Sequence, residues 1–199
     1  MKTMNTPDHH KTAQTTYPVT DLIRNRWSPR SFSARELSDE AMLTILEGGN
    51  WAPSANNSQP WRQVYALRGT RGFDAIVSVL AAGNQPWARL AAALVVTVGV
   101  RELPDSQQKN AYYLHDAGMY NAFMLLQAQS MEVSGHVMAG FDKHKMAELL
   151  DLPVSEEAVT VTALGYRDEA EKLEEPYRTR ELSKRSRKTL TETATAFSI

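Results

Sequence analysis

The feature that most constrains the fold is a valine-rich run at residues 94–100, which reads LVVTVGV. Its β-branched residues favour a strand, and the absence of polar alternation is typical of a strand buried on both faces of a sheet. Helical and strand patterns alternate irregularly along the rest of the chain. The sequence therefore predicts an α+β fold, in the form of a three-layer α/β sandwich around a mixed sheet.

Capping residues and apolar periodicity locate the elements around this strand. The predicted helices run from Val19 to Ser28-Pro29, from Ser38 to Gly48-Gly49, from Thr70 to Gly83, from about Gln107 to Met131, and from Asp142 to about Leu150. Two shorter strands are predicted at 64–67 and 158–164. The helix from about Gln107 carries apolar residues well round its circumference, so we expect it to be deeply buried.

Length and charge indicate one domain without a charged macromolecular partner. The 199 residues suit a single domain at 18–199 with a basic C-terminal tail, preceded by a polar arm at 1–17 that is either disordered or packed. A net charge of -1 favours neither nucleic acid nor an anionic membrane as partner. No apolar run approaches the roughly 18 residues of a membrane span, and residues 1–17 lack the apolar centre of a signal peptide. We expect a cytoplasmic protein.

The chain has no cysteine. Disulfides, thiolate nucleophiles, iron–sulfur ligation and cysteine-based zinc sites are therefore excluded. The pair His9-His10 could hold a transition metal, but a solvated pair is the simpler interpretation, and we predict no metal site. The pair His115-Asp116 lies within a predicted helix, where adjacent side chains are not expected to face each other, so we predict no hydrolase triad.

Residues 24–32, which read RNRWSPRSF, contain three arginines and two serines. Guanidinium groups bind phosphate through paired, charge-assisted hydrogen bonds, and a neighbouring hydroxyl can add another. The segment lies where a helix is expected to end. It is either a site for an anionic ligand or a solvated basic turn.

Residues 52–61, which read APSANNSQPW, form a second unusual segment. Two prolines bracket a run of short polar side chains, and Trp51 and Trp61 flank it. A stiff loop with amide groups and aromatic walls suits a planar heteroaromatic ligand. A long structural turn is the alternative.

The order and spacing of these two segments resemble the FMN-dependent nitroreductase family. That family has an Arg-x-Ser-x-Arg/Lys-x-Phe turn, matched here from Arg26 to Phe32, and a Pro-Ser-x-x-Asn-x-Gln-Pro-Trp loop, matched from Pro53 to Trp61. Further similarity lies at Gly140-Phe141-Asp142, Leu164-Gly165-Tyr166 and Arg185-Ser186-Arg187. The resemblance extends from about Val19 to Thr191, and the loop is its most specific part.

The resemblance implies a set of FMN-binding residues. The phosphate and ribityl chain would be held by Arg26, Ser28, Arg30, Arg185 and Arg187, with a backbone contact from Trp27. The partner subunit would supply Pro53, Ser54, Ala55 and Asn57, with Gln59 supporting their loop. Asn84 would meet the pyrimidine edge, and the backbone amides of Ala139 and Gly140 would face the reactive edge of the isoalloxazine. Many relatives carry glutamate in place of Ala139.

The same resemblance implies a mainly antiparallel sheet, an intertwined homodimer with shared sites, and an enzyme. Hydride would pass from NAD(P)H to FMN and then to a nitroaromatic, quinone or related conjugated acceptor, in a ping-pong cycle. No side chain is predicted to act as acid, base or nucleophile, because the cofactor carries the chemistry. Two alternatives remain: a flavoenzyme of the same fold with other chemistry, such as reductive dehalogenation or heterocycle oxidation, and a non-catalytic flavin sensor or carrier.

Overall fold

A four-stranded antiparallel sheet forms the middle layer of the protein. The structure is a computed structural model that describes residues 11–103 and 108–198. Its strands are β1 (Trp61–Leu67), β2 (Ala93–Val100), β3 (Ser134–Met138) and β4 (Glu156–Gly165), in the spatial order β1-β2-β4-β3. The predicted α+β sandwich is confirmed. The sheet, predicted to be mixed and mainly antiparallel, is antiparallel at each pair of these described strands.

Helices cover both faces of this sheet. They are α1 (Asp21–Asn25), α2 (Asp39–Asn50), α3 (Arg71–Val79), α4 (Gln85–Ala88), α5 (Tyr113–Ser130), α6 (Lys143–Leu149), α7 (Tyr177–Leu182) and α8 (Leu190–Thr193), with short 3₁₀ turns at Ala55–Asn57 and Ala170–Lys172. The predicted N-caps Ser38, Thr70 and Asp142 each accept a backbone N–H three residues further on, which confirms those helix starts. In the described part of the chain, no helix is long and apolar enough to cross a bilayer.

The side chains of β2 alternate between two separate cores. Leu94, Val96 and Val98 pack in one core with residues of α3, α4 and α6. Ala93 and Val95 pack in the other, with residues of α2 and α5. All five are fully buried, so the prediction of a strand covered on both faces is confirmed.

Several predicted elements differ from the structure, among them the helix expected from Thr70 to Gly83, which ends at Val79. The strand expected at 64–67 begins earlier, at Trp61, because the backbone pairs with β2 directly after Pro60. The first helix is only five residues long and contains no buried residue. Leu22 and Ile23, expected to line its inner face, are about half exposed.

The longest helix, α5, is shorter and less buried than predicted. It begins at Tyr113; residue 107, its expected start, lies outside the described residues, and Lys109 forms a β-bridge with Glu102 instead of entering the helix. One face, including Tyr120 and Met124, is buried against α2 and the sheet. The opposite face is exposed in the single chain at Leu114, Gly118, Ala122 and Phe123. The prediction of all-round burial is therefore wrong for the isolated chain.

The contact between α2 and α5 depends on a glycine. The hydroxyl of Tyr120 donates to the carbonyl of Leu46 at 2.8 Å, and its ring lies against Gly49. A Cβ at position 49 would overlap three atoms of that ring. Gly49 is thus required by close packing between the helices.

We expect Gly49→Ala to lower the free energy of unfolding by about 1–3 kcal/mol, because the buried Tyr120 ring must shift to admit a methyl group. Chemical denaturation measures the change. Gly83→Ala is the matched control, since a Cβ at that position meets nothing within 4 Å. An effect of Gly49→Ala no larger than that of Gly83→Ala would contradict the packing argument.

Candidate functional site

The arginine-rich turn that follows α1 has a firmly held backbone. The carbonyl of Pro29 accepts a hydrogen bond from His136 Nδ1 on β3 at 2.9 Å. The backbone N–H groups of Arg30 and Ser31 both donate to the buried carboxylate of Glu181 on α7, at 2.9 and 3.0 Å. Two distant elements therefore fix the turn, and its side chains project from a rigid base.

The C-terminal arginines lie beside this turn. Burial lowers the pKa of Arg26, and the charges of Arg185 and Arg187 lower this pKa further. The hydroxyl of Ser28 lies 3.5 Å from Arg26 Nη1. None of these three arginines takes part in a carboxylate ion pair among the described residues. Positive charge from three arginines therefore accumulates beside the turn without a carboxylate ion pair among the described residues.

Arg185 is only partly available to an anion. Its Nη1 donates to the carbonyls of Lys11 and Arg24, at 2.8 and 3.0 Å. These bonds tie the C-terminal segment to the chain around α1. The guanidinium is thereby held in place next to Arg26.

Arg30 lies on a stack of rings rather than beside Arg185 and Arg187. Its guanidinium carbon is 5.7 Å from the centre of the Trp87 ring, and Trp87 in turn stacks on His136 with ring centres 4.5 Å apart. Burial lowers the pKa of His136 to about 4, and Arg30 and Arg26 contribute to this shift. His136 is therefore neutral at physiological pH and donates through Nδ1 to Pro29.

The loop at 53–60 has an unusual backbone. Asn56, Asn57 and Gln59 all have positive φ, of 52°, 56° and 46°. Such conformations are costly for residues other than glycine and are held by surrounding contacts. Inside the loop, Ser54 Oγ accepts from Gln59 N, and the Gln59 side chain donates to the Asn57 carbonyl, both at 3.0 Å.

Asn84, Ala139 and Gly140 meet at the end of β3. The Asn84 side chain donates to the carbonyl of Gly140 at 3.0 Å. A Cβ at position 140 would lie 2.8 Å from Asn84 Nδ2, so a larger residue there would displace the Asn84 side chain. Ala139 is exposed beside them. The surface at Ala139 and Gly140 is therefore formed by backbone and small side chains.

The loop and the arginine turn lie at opposite edges of the sheet. The loop leads into β1 at one edge, whereas the turn is bonded to β3 at the other. Three strand spacings separate these edges, which is about 14 Å. Among the described residues no hydrogen bond or ion pair joins the two segments, so a single chain does not bring them together.

Comparison with known proteins identifies the chain's relatives. Residues 23–92 match the model of the nitroreductase family. A solved structure described as an oxidoreductase containing FMN is 31% identical, with a TM-score of 0.88 and 96% of each chain covered. The chain belongs to the nitroreductase family. It is accordingly an oxidoreductase.

Other relatives of this nitroreductase are more distant. A Streptococcus pyogenes protein named as an NAD(P)H nitroreductase is 23% identical over 179 residues, which cover 75% of this chain and 90% of that protein. A Desulfovibrio desulfuricans nitroreductase structure in complex with FMN has a TM-score of 0.70 at 24% identity, with 93% and 99% of the two chains covered. The latter likeness shows the shared fold.

The family match covers only some of the residues predicted for the site. The matched segment contains the arginine turn, the loop at 53–60 and Asn84. Ala139, Gly140, Arg185 and Arg187 lie beyond it. The fold itself brings the last two to Arg26, across about 160 residues of sequence. Trp27, predicted to contribute through its backbone, also buries its side chain, and the ammonium group of Lys11 lies 4.8 Å from its ring centre.

Three residues that hold the arginine turn or the loop at 53–60 carry no usable sequence signal or a misleading one. Glu181 lies in a charge-dense segment where no pattern distinguishes it, and His136 is a single histidine in a short strand. The helical position of Asp116 predicts that its side chain does not face that of His115. That expectation is wrong here: His115 Nδ1 lies 2.9 Å from Asp116 Oδ1. The pair His9-His10 lies outside the described residues.

The buried His136 should make the stability of the protein depend on pH. Between pH 6.5 and about 4 the unfolded chain takes up a proton that the folded His136 does not, so the free energy of unfolding falls as the pH is lowered. We expect His136→Gln to flatten this slope, because the amide donates to Pro29 without titrating. Denaturation at several pH values measures both slopes, and the values above pH 6.5 give the separate cost of the substitution. An unchanged slope in the variant would refute the assignment.

Proposed function

We propose that the protein binds FMN, oxidises NAD(P)H and reduces nitroaromatic, quinone or related conjugated acceptors in a ping-pong cycle. One observation carries the proposal: Arg26, Arg185 and Arg187 form a cluster without a carboxylate beside a rigid turn in a nitroreductase-family chain. When bound, FMN would supply the hydride chemistry, and the protein would supply position and electrostatics. The similar structure described as containing FMN supports the same cofactor.

The chemistry of the arginine cluster suits a phosphate. Burial acts against the charged forms of Arg26 and Arg185, and the charge of Arg187 repels both of them. A doubly charged phosphate placed among them would offset both effects through charge-assisted hydrogen bonds. Ser28 Oγ is close enough to Arg26 to join the same set, and Arg30 would approach from its place over Trp87.

The surface around Gly140 suits the flat ring of the same cofactor. Ala139 lies three residues beyond His136, which is about 10 Å along an extended strand. The proposed anion site and the surface at Ala139 and Gly140 are therefore spaced along one sheet edge. An elongated ligand with an anionic end and a planar end requires such a spacing. Exposed amides at the end of β3 would face the ring, and Asn84 would hold the Gly140 peptide in place.

We further propose an intertwined homodimer with two shared sites. The exposed face of α5, with Leu114, Ala122 and Phe123, is an unpartnered apolar surface, and Gly118 allows another helix to approach closely. Trp51, next to the loop at 53–60, is 78% exposed. A symmetric pair through this face would bring the loop of one chain to the arginine turn of the other.

The domain assignment and cellular location are part of the same proposal. We assign residues 18–199 to one FMN-binding domain and 1–17 to an arm, in a cytoplasmic protein. The ammonium group of Lys11 donates to the carbonyl of Arg180 at 3.2 Å, which supports packing of at least that end of the arm against α7.

We expect the purified protein to show the absorption of bound flavin and to bleach on anaerobic addition of NADH or NADPH. Colour should return when a nitroaromatic or quinone is added. The variant Arg26→Ala/Arg187→Ala should bind FMN at least about 100-fold more weakly, because two charge-assisted contacts to the phosphate are lost. Absorption spectroscopy and FMN titration measure these effects.

Arg71→Ala/Lys145→Ala removes two exposed positive charges, on α3 and α6, and serves as the control for net charge. It should bind FMN as the native protein does. Full retention of FMN by Arg26→Ala/Arg187→Ala would refute the phosphate assignment. A native protein that takes up no FMN would refute the proposed function as a whole.

We expect Leu114→Glu/Phe123→Glu to convert the dimer to a monomer, because two charges per chain would be buried in the proposed interface. Light scattering measures the mass. Leu149→Glu, on α6 at the other face of the sheet, introduces a charge at a similarly exposed leucine and should remain dimeric. A native monomer that still binds one FMN per chain would exclude the shared site.

A further inference from the structure

The loop at 53–60 is held from outside by a buried carboxylate. Asp116 Oδ2 accepts the backbone N–H of Ala55 at 3.0 Å, at the first residue of the 3₁₀ turn. A second external bond, from Val100 N to the carbonyl of Pro60, fixes the other end. Between these two anchors lie the three residues with positive φ.

Asp116 is costly to bury, and its place in the core is not explained by packing. Its side chain is 1% exposed, whereas the neighbouring His115 side chain is 71% exposed and contacts the other carboxylate oxygen. A buried carboxylate is tolerated when its oxygens are hydrogen-bonded. Both oxygens of Asp116 have such a partner: Oδ2 accepts the backbone N–H of Ala55 in the loop, and Oδ1 contacts His115. The first turn of a helix also favours a negative charge.

We propose that Asp116 is a positioning residue for the cofactor site: its bond to Ala55 sets the place of the Ser54–Asn57 backbone and thereby the affinity for FMN. The inference rests on the proposed FMN site. Asp116 itself contacts neither the arginine turn nor the surface at Gly140 in the described part of the chain. It acts through the loop, and His115 keeps its carboxylate oriented.

The inference is tested by comparing Asp116→Ala with Asp116→Asn. Hydrogen exchange of the Ala55 amide, measured without FMN, should become about 10-fold faster in Asp116→Ala, because the amide loses its acceptor. The dissociation constant for FMN should rise about 10-fold in the same variant, as expected for one lost hydrogen bond to a charged group. Asp116→Asn keeps an acceptor oxygen and should restore both values to within about 3-fold of native.

Asp74→Ala is the matched control. Asp74 is an exposed aspartate in the first turn of α3, as Asp116 is in the first turn of α5. Its loss removes a negative charge from the equivalent part of another helix and leaves the loop at 53–60 unchanged. Exchange at Ala55 and FMN affinity should stay native. Equal impairment of Asp116→Asn and Asp116→Ala would overturn the inference, because charge rather than the bond to Ala55 would then matter.

A second variant removes the other partner of the bond. Ala55→Pro deletes the N–H at the first position of a helical turn, where proline is tolerated. Its effect on FMN affinity and that of Asp116→Ala should not add in the double variant, because both break one interaction. Additive effects, or native FMN affinity in Asp116→Ala, would overturn the positioning role.

If Asp116→Ala does not fold, Ala55→Pro alone tests the inference. This variant must then bind FMN more weakly than the native protein, and native affinity for FMN would overturn the inference. A native protein that takes up no FMN would refute the proposed function and, with it, the effect of Asp116 on the cofactor. The exchange rate of Ala55, measured without FMN, would still show whether Asp116 anchors the loop.

Discussion

The burial of β2 on both faces determines where a polar site can lie. Its side chains fill two packed cores, so neither face of this strand has room for a charged ligand. Only the edges of the sheet remain. The arginine turn and the surface at Gly140 lie at the β3 edge, and the loop at 53–60 lies at the β1 edge.

The placement of carboxylates distinguishes this site from ordinary surface charge. The buried Glu181 and Asp116 accept backbone N–H groups of the arginine turn and of the loop at 53–60, respectively. At the surface, by contrast, Glu157 pairs with Arg101 and Lys143, and these contacts lower its pKa to about 2. Carboxylates near the site thus organise backbone, and the guanidinium groups of Arg26 and Arg187 are left with their charge uncompensated. That separation is what a phosphate site needs, because an internal salt bridge would compete with the ligand.

The sequence was informative where local chemistry decides the outcome. The valine-rich run at 94–100, the N-caps at Ser38 and Thr70, and the family motif all predicted features that the structure or the comparisons confirm. It failed where tertiary contacts decide. The burial of α5 depends on which of its faces packs against another element. The apolar residues around the whole helix therefore predicted more burial than the structure has. Glu181 and His136 act on a turn more than 100 residues away, and no local pattern encodes such a pairing.

The separation of the two edges gives the proposed dimer an energetic consequence. In the proposed dimer, each chain would carry one half of a site at the β3 edge and the other half at the β1 edge, about 14 Å apart. If the partner supplies the missing half, FMN binds the dimer more tightly than the separated chain. Binding then stabilises the dimer by the same free energy, because anything that binds only the associated form shifts that equilibrium. The hydrogen bond from Ala55 N to Asp116 contributes to this coupling, since it would fix the half-site that one chain presents to the other.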